Sequence, residues 1–276
     1  MSAVLSPAEF EYLRTLVKTE AGIDLGPDKH YLVDSRLRSL AISHGFSDPW
    51  ALLKAMKATP SPKLVAGVID AMTTNETFFF RDRTPFDQLR TTIAPAIIKA
   101  RPGRPIRVWS AACSTGQEPY SIAMTIEEMA RQTPGLRTEI LATDLSQRCL
   151  DQAKAGVYTD FEVGRGLSPE VLGRYFERDG VNWRVGAKLR GPVTFRQLNL
   201  MSDFSRIGTM DVIFCRNVLI YFDKETRRTI LDRMLKVLAP EGYLILGGSE
   251  TVLGLHAGYS AVPGQPSLYQ PALGVA

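Results

Sequence analysis

Arg107-Val-Trp-Ser-Ala-Ala-Cys-Ser-Thr-Gly-Gln-Glu-Pro-Tyr-Ser121 is the stretch on which the fold turns. Ile106 to Trp109 is short, apolar and β-branched, and it follows the breaker run Arg101-Pro-Gly-Arg-Pro105. That pattern predicts a buried first strand of an α/β sheet. The chain then passes through small residues, Ser110 to Gly116, into a helix opened by Glu118 and Pro119. Small side chains let a ligand approach the backbone, and a helix N-terminus offers unpaired amides. α/β proteins place nucleotide-like cofactors at such a strand-turn-helix. Without Gly-x-Gly-x-x-Gly spacing, an ordinary tight βα turn fits the same residues equally well.

Downstream, the helix is expected to run to about Arg131, and Thr138 to Thr143 reads as a second strand ending at Asp144. An acidic residue there suits a ribose diol. It lies further along than the usual interval of about 20 residues. Asp144 would alternatively cap the helix beginning near Ser146, although Ser146 is itself a competent cap. From 156 to 195 the βα rhythm breaks. Ser168-Pro169 opens a short helix, and Trp183-Arg-Val and Val193-Thr-Phe read as short antiparallel strands, with Asp179-Gly180 as a turn signal. A small β insertion is expected over about 160–196. Met210 to Cys215 is a strongly apolar strand. Asp223 caps a helix whose inner face carries Ile230, Leu231, Met234, Leu235 and Leu238, ended by Pro240-Glu241-Gly242. Tyr243 to Leu246 is the next central strand, and Tyr259–Val262 and Ser267–Gln270 are final edge strands.

Upstream, Ser6-Pro7-Ala8-Glu9 is a capping box, followed by Phe10, Leu13, Leu16 and Val17 at helical spacing. Pro27-Asp28, Asp48-Pro49 and Ser61-Pro62 open three more helices. Leu32, Leu37 and Leu40 are the expected inner side of the second, and Lys29, Arg36 and Arg38 make it basic. Those charges are either a solvated face or a docking surface for acidic groups. Residues 1–72 therefore form a helical bundle, 73–84 an interdomain segment, and 85–276 the α/β domain, with a helix from Pro85 to about Ala100. The three phenylalanines Phe78 to Phe80 either bury against both domains or hold Asn75, Thr77 and Arg81 toward a cleft. Arg81 has a plainer reading too, as a surface ion pair with Asp82.

At 45% hydrophobic and 22% charged residues, the composition is that of a globular protein. No apolar run approaches the roughly 18 residues needed to span a bilayer, and Met1 to Arg14 shows no secretory pattern. Three widely spaced cysteines and three scattered histidines give neither a disulfide framework nor a metal spacing, so no metal site and a reducing, cytoplasmic setting are expected. A net charge of +4 favours an acidic partner, protein or nucleic acid.

Several spaced motifs coincide: Thr73-Thr-Asn-x-Thr-x-Phe-Phe-Arg81, Trp109 to Ser121, Ala142-Thr-Asp144, Asn199-Leu200 and Cys215-Arg-Asn-Val-x-Ile-Tyr-Phe222. Together they resemble the chemotaxis receptor methyltransferases known as CheR, over most of the chain. The resemblance implies S-adenosylmethionine-dependent methylation of glutamate side chains on methyl-accepting chemotaxis receptors, giving methyl esters for sensory adaptation. It implies a helical N-terminal domain and a Rossmann-like methyltransferase domain carrying a small antiparallel β-subdomain. It also implies a cytoplasmic protein associated with receptor arrays. Asn75, Thr77, Arg81, Glu118, Asp144, Asn199, Leu200, Arg216 and Asn217 match its cofactor-binding positions. Tyr221 lies in the motif beside the reaction site, with Arg81 as its catalytic companion. Gln117 replaces a common acidic residue, and Cys113 stands where a smaller residue is frequent.

The implied chemistry suits these residues. A glutamate carboxylate is already ionised near pH 7, so no base is needed. Arg81 can orient it through a bidentate pair. Lys29, Arg36 and Arg38 are expected to meet the acidic methylation region of the receptor. Some members of the family hold a receptor tail peptide on a longer β-subdomain loop. Here Asp179-Gly180 and Lys188-Leu-Arg-Gly-Pro192 are compact and Pro192 lacks a donor, so no tail-pentapeptide tether is expected. A nucleic-acid methyltransferase would need a basic groove with stacking aromatics, whereas these basic residues are dispersed. A non-catalytic cofactor-binding scaffold is the other alternative.

Overall fold

A computed structural model describes residues 7–272, and the Ser6 cap lies outside them. The chain divides into a smaller unit, up to Thr74 together with Tyr221–Thr226, and a larger one, Asn75–Ile220 with Arg227 onward. The smaller unit holds helices α1 (Pro7–Ala21), α2 (His30–Ser43), α3 (Pro49–Ala58) and α4 (Pro62–Met72). Phe10, Leu13, Val17, Leu52, Leu53, Met56, Val68 and Met72 supply its buried faces. Asp48 caps α3 by accepting the Trp50 and Ala51 amides, both at 2.9 Å. Segment 221–226 belongs here because Ile23 bridges Phe222, Asp24 N–H donates to the Tyr221 carbonyl (2.8 Å), and Lys18 pairs with Asp223 (2.8 Å).

The larger unit begins with α5 (Thr84–Gln88) and α6 (Ala94–Ala100), joined through a π-helical turn at Leu89–Ile93. Then come β1 (Ile106–Ala111), α7 (Gln117–Ala130), β2 (Thr138–Asp144), α8 (Gln147–Ala155), β3 (Val157–Tyr158), α9 (Asp160–Gly164) and α10 (Pro169–Tyr175). Next are β4 (Phe176–Asp179), β5 (Asn182–Val185), α11 (Ala187–Arg190), β6 (Val193–Gln197), β7 (Met210–Cys215), α12 (Lys224–Val237), β8 (Leu238–Leu246), β9 (Tyr259–Ala261) and β10 (Leu268–Pro271). The main sheet runs β6-β2-β1-β7-β8-β10-β9. Its first five strands are parallel, and β10 is antiparallel to both its neighbours. β7 is buried throughout, as a strand covered on both faces must be. The order reverses beside β1, which puts the ligand crevice at the carboxyl ends of β1, β2 and β7. This is a Rossmann-like arrangement with an antiparallel hairpin at one edge. A separate antiparallel sheet, β3-β5-β4, is the small β-subdomain.

Three sequence expectations are corrected. Val193–Phe195 is not a strand of the small sheet: β6 pairs parallel to β2, Ile140 with Val193 through Asp144 with Gln197. Its half-exposed alternation is that of a strand at one edge of the main sheet. The third strand of the small sheet is instead Val157–Tyr158, too short to register as a pattern. Pro192 thereby loses its bearing on a peptide tether, because its carbonyl accepts from Ile140 at the head of β6. On α2 the buried positions are Val33, Leu37 and Ala41, so Leu32 and Leu40 each flank the inner face by one residue. Within the segment 73–84 the expected burial of aromatics holds at Phe79. Phe79 is fully buried in the larger core and stacks edge-on against Tyr158 and Phe176, with ring centroids 5.1 and 5.4 Å apart.

Candidate cofactor and active site

The turn after β1 is unusual backbone. Ala112 (φ 60°), Ser114 (φ 51°) and Gly116 (φ 96°) all lie in the left-handed region. Two non-glycine residues there imply strain held by surrounding contacts. Those contacts are visible. Ser114 N–H donates to Asp144 Oδ2 (2.8 Å), and Ser114 Oγ–H donates to the Asn75 carbonyl (2.8 Å). Gly116 is required for packing: a Cβ would fall 2.8 Å from Ala153 Cβ and 2.9 Å from the Tyr158 hydroxyl. Close approach to α8, rather than to a ligand, therefore accounts for this glycine.

Asp144 ends β2 at 6% exposure. Its other oxygen accepts Ser146 N–H (2.9 Å), while Ser146 Oγ accepts the Cys149 amide and caps α8. The carboxylate is thus fixed by two amides, with the β1 turn on one side and the α8 entry on the other. Leu198 N–H donates to the Asp144 carbonyl (3.0 Å), which brings Asn199 and buried Leu200 to the same strand end. Asn199 Oδ1 accepts the Met201 amide at 2.9 Å.

The second half of the site is organised by Arg216, whose side chain is 2% exposed. Nη1 donates to Glu118 Oε2 (2.8 Å); Nη2 donates to the Arg81 carbonyl (2.7 Å) and to Asp82 Oδ2 (2.9 Å). Ser110 Oγ–H donates to the other oxygen of Glu118, at 2.8 Å. One buried cation therefore binds the end of β7, the first turn of α7 and the segment carrying Asn75, Thr77 and Arg81. That segment folds back sharply, with Phe80, Asp82 and Arg83 at positive φ. The half-buried Arg81 guanidinium donates to the Glu76 carbonyl (2.7 Å) and lies 5.7 Å from the Phe78 ring centre. Asp82 pairs with Arg216 rather than with Arg81.

The positions matched by the motifs thus converge in the larger unit, with two exceptions of placement. Tyr221 ends the turn Leu219–Tyr221 and is grouped with the helices. Lys29, Arg36 and Arg38 belong to the smaller unit. There Lys29 pairs with Asp28 (3.0 Å) and Arg38 with Asp34. Arg36 donates to the Met72 and Thr73 carbonyls and to Thr74 Oγ1, which ties off the end of α4. Sequence reasoning passed over Ser110, Ser114 and Glu250, and gave Asp82 only as a partner of Arg81. Both serines sit inside the Trp109–Ser121 motif, but serines in a glycine-containing turn carry no distinguishing pattern.

Profiles of known families match nearly the whole chain: the CheR methyltransferase all-alpha domain over residues 8–73, and the CheR methyltransferase SAM binding domain over 75–267. The chain is 43% identical over 268 residues to chemotaxis protein methyltransferase Cher2 of Pseudomonas putida, covering 96% of this chain and 98% of that protein. It is 45% identical over 265 residues to chemotaxis protein methyltransferase 1 of Pseudomonas aeruginosa (95% and 96%), and 38% over 252 to the chemotaxis protein methyltransferase of Escherichia coli (89% and 85%).

The chain belongs to the CheR methyltransferase family. Its cofactor is S-adenosylmethionine, and the residues present in this CheR protein suit it. Asp144 is a rigid acceptor at the strand end, and would hold a ribose diol there. Glu118, paired with Arg216, would offer its negative charge to a cationic group. The Arg216 Nε–H is buried without a protein partner, a donor left over at the site. Leu200 adds an apolar wall.

Proposed function

We propose that this methyltransferase esterifies glutamate side chains in the cytoplasmic helical region of methyl-accepting chemotaxis receptors, and does so within receptor arrays. When bound, the cofactor supplies an electrophilic methyl group on a sulfonium. The observation that carries the reading is the cluster of Asp144, Glu118 and Arg216 at the carboxyl ends of the central strands in a chain of this family, with the thiols and the histidine considered next already committed elsewhere. The Cys113 and Cys215 thiols are fully buried, and burial pushes both well above the ordinary thiol range, so they stay neutral and inert. His256 is engaged with Asp232 (2.7 Å) and the Gly258 amide (3.0 Å). An acceptor that arrives ionised suits such a site, and a carboxylate does so near pH 7. What remains for the protein is alignment and exclusion of water. Arg81 orients the incoming carboxylate, Asp144 and Asn199 hold the cofactor's sugar end, and Tyr221 is carried over from the motif alone as the catalytic companion of Arg81.

Lys29 and Arg38 are the cations proposed to face the acidic receptor helices, their partners Asp28 and Asp34 being exposed and exchangeable. Arg36 joins them only through its position, since its guanidinium is committed to α4. No tail-peptide tether is proposed: β4 and β5 are joined by the tight turn Gly180–Val181, which leaves no docking loop. Among the described residues no helix is long and apolar enough to cross a membrane.

Transfer of labelled methyl groups tests the function, with receptor-bearing membranes, tRNA and rRNA offered in parallel. Base-labile label on receptor protein, lost when the receptor glutamates are replaced by alanine, is the expected result. Label on RNA, or none anywhere despite cofactor binding, would reject it in favour of a nucleic-acid enzyme or a scaffold. Arg81→Lys keeps the charge and loses the planar fork. Its turnover should fall at least about tenfold with the melting temperature nearly unchanged; normal turnover would make Arg81 a point charge only.

A further inference from the structure

Glu250 lies just beyond β8, in Gly247-Gly-Ser-Glu250, at 7% exposure. Its carboxylate is enclosed by backbone. Oε1 accepts the amides of Val218 (2.9 Å), Leu219 (2.8 Å) and, more weakly, Ile220 (3.4 Å). Oε2 accepts those of Asn217 (2.8 Å) and Gly247 (2.7 Å). The space is closed as well as polar. A Cβ on Gly247 would stand 2.7 Å from Glu250 Oε2, 2.8 Å from Asn217 Nδ2 and 2.9 Å from Asn217 N. Asn217 itself is held at φ 56°, a conformation that needs external support in a non-glycine residue.

The loop after β7 leaves the sheet directly behind Arg216 and Asn217. Successive amides pointing inward make an anion nest, and here the anion is a side chain of the same chain. Hydrogen bonds from amides to an ionised carboxylate are about twice as strong as neutral ones. Without the acceptor, several donors would be left buried and unpaired. We propose that Glu250 is the positioning residue of the cofactor site: it fixes the Asn217–Ile220 loop and so sets where the Asn217 side chain meets the cofactor. This rests on the reading that Asn217 is a cofactor-binding residue.

The test uses full-length wild-type protein, Glu250→Gln, Glu250→Asp and Asn217→Ala, with S-adenosylhomocysteine binding measured by calorimetry and methyl transfer by steady-state kinetics. Glutamine turns an amide donor toward a ring of donors. In the folded glutamine variant the Kd is expected to rise at least about tenfold. KM for the methyl donor should rise with it, while kcat falls less than about threefold, because the loop acts on binding. Glu250→Asp, one methylene shorter, should lie between. A purely structural glutamate would lower the melting temperature and leave the Kd of folded protein within about twofold of wild type, which would overturn the proposal. If the glutamine variant does not fold, hydrogen exchange on the wild type decides. Amides 217–219 and 247 should be protected as well as those of β7, and rapid exchange there would overturn the proposal. Unchanged binding by Asn217→Ala beside weakened binding by Glu250→Gln would overturn the Asn217 assignment and leave Glu250 as the loop's anchor.

Discussion

Replacing Arg216 by lysine separates the parts of the buried clamp. A lysine ammonium can still reach Glu118, but it cannot also meet the Arg81 carbonyl and Asp82, which arginine holds through Nη2 at 2.7 and 2.9 Å. The bond to the buried carbonyl is charge-assisted, worth about 1.5–3 kcal/mol. The Asp82 side chain is 51% exposed, so its pair is screened and adds only about 0–1 kcal/mol. The loss is then about 3 kcal/mol, and a domain of about 200 residues loses about 2–4 °C per kcal/mol, giving a fall of about 6–12 °C. Arg216→Met also leaves Glu118 without its cation and should fall further, since breaking a buried pair costs about 3–5 kcal/mol. Differential scanning calorimetry of the full-length protein gives the ranking directly. A lysine variant melting within about 2 °C of wild type, or below the methionine variant, would refute the clamp as drawn.

Asp144→Ala removes an acceptor from the strand end and should weaken S-adenosylhomocysteine binding by about 1.5–3 kcal/mol, roughly ten- to a hundredfold, by calorimetry; unchanged affinity would remove Asp144 from the cofactor site. Gly116→Ala forces a side chain into a φ of 96° and against Ala153, and should cost about 2 kcal/mol or more in chemical denaturation, with a neutral result contradicting the packing at α8. Burial holds the Tyr120, Tyr158 and Tyr259 phenols above their ordinary range. Their raised folded pKa values favour the neutral form, so this stability is complete below about pH 10, the unfolded value, and is lost as pH rises beyond it. In an alkaline titration exposed tyrosines such as Tyr31 should ionise first, and the tyrosinate absorbance of the buried ones should appear only together with loss of near-ultraviolet dichroism; ionisation of all the tyrosines before unfolding would contradict their burial.

The strands that build the site were legible for different reasons: Met210–Cys215 is buried on both faces and Ile106–Trp109 nearly so, and both read as largely apolar runs, whereas Thr138–Thr143, with Glu139 exposed, reads from its β-branched and apolar residues before Asp144. Their carboxyl ends then followed from the order of α/β units, and the spaced motifs named the side chains. What escaped detection was tertiary. β6 carries a mixed pattern because one flank of it is open, so it was grouped with the β insertion. Val157–Tyr158 is too short for any periodicity. Glu250 looks like an ordinary exposed acid after a glycine pair, and only the folded loop shows the ring of amides around it. Arg216 was recognisable from Cys215-Arg-Asn217, yet its commitment to Glu118 and to the Arg81 carbonyl depends on three elements meeting. The helical positions at Leu32 and Leu40 missed by one residue because Val33, Leu37 and Ala41 form an equally regular stripe.

The order β8-β10-β9 has a consequence for how the molecule is made. β9 leaves the ribosome before β10, but its hydrogen bonds in the sheet are to β10, Tyr259 with Pro271 through Ala261 with Tyr269. Until β10 is translated, β9 has no neighbour, and the Leu244–Ile245 edge of β8 stands open. An unpaired edge is a template for the wrong partner. The nascent chain thus carries an adhesive strand through the synthesis of the 262–267 turn, and arrival of Leu268–Pro271 both fills the gap and recruits β9.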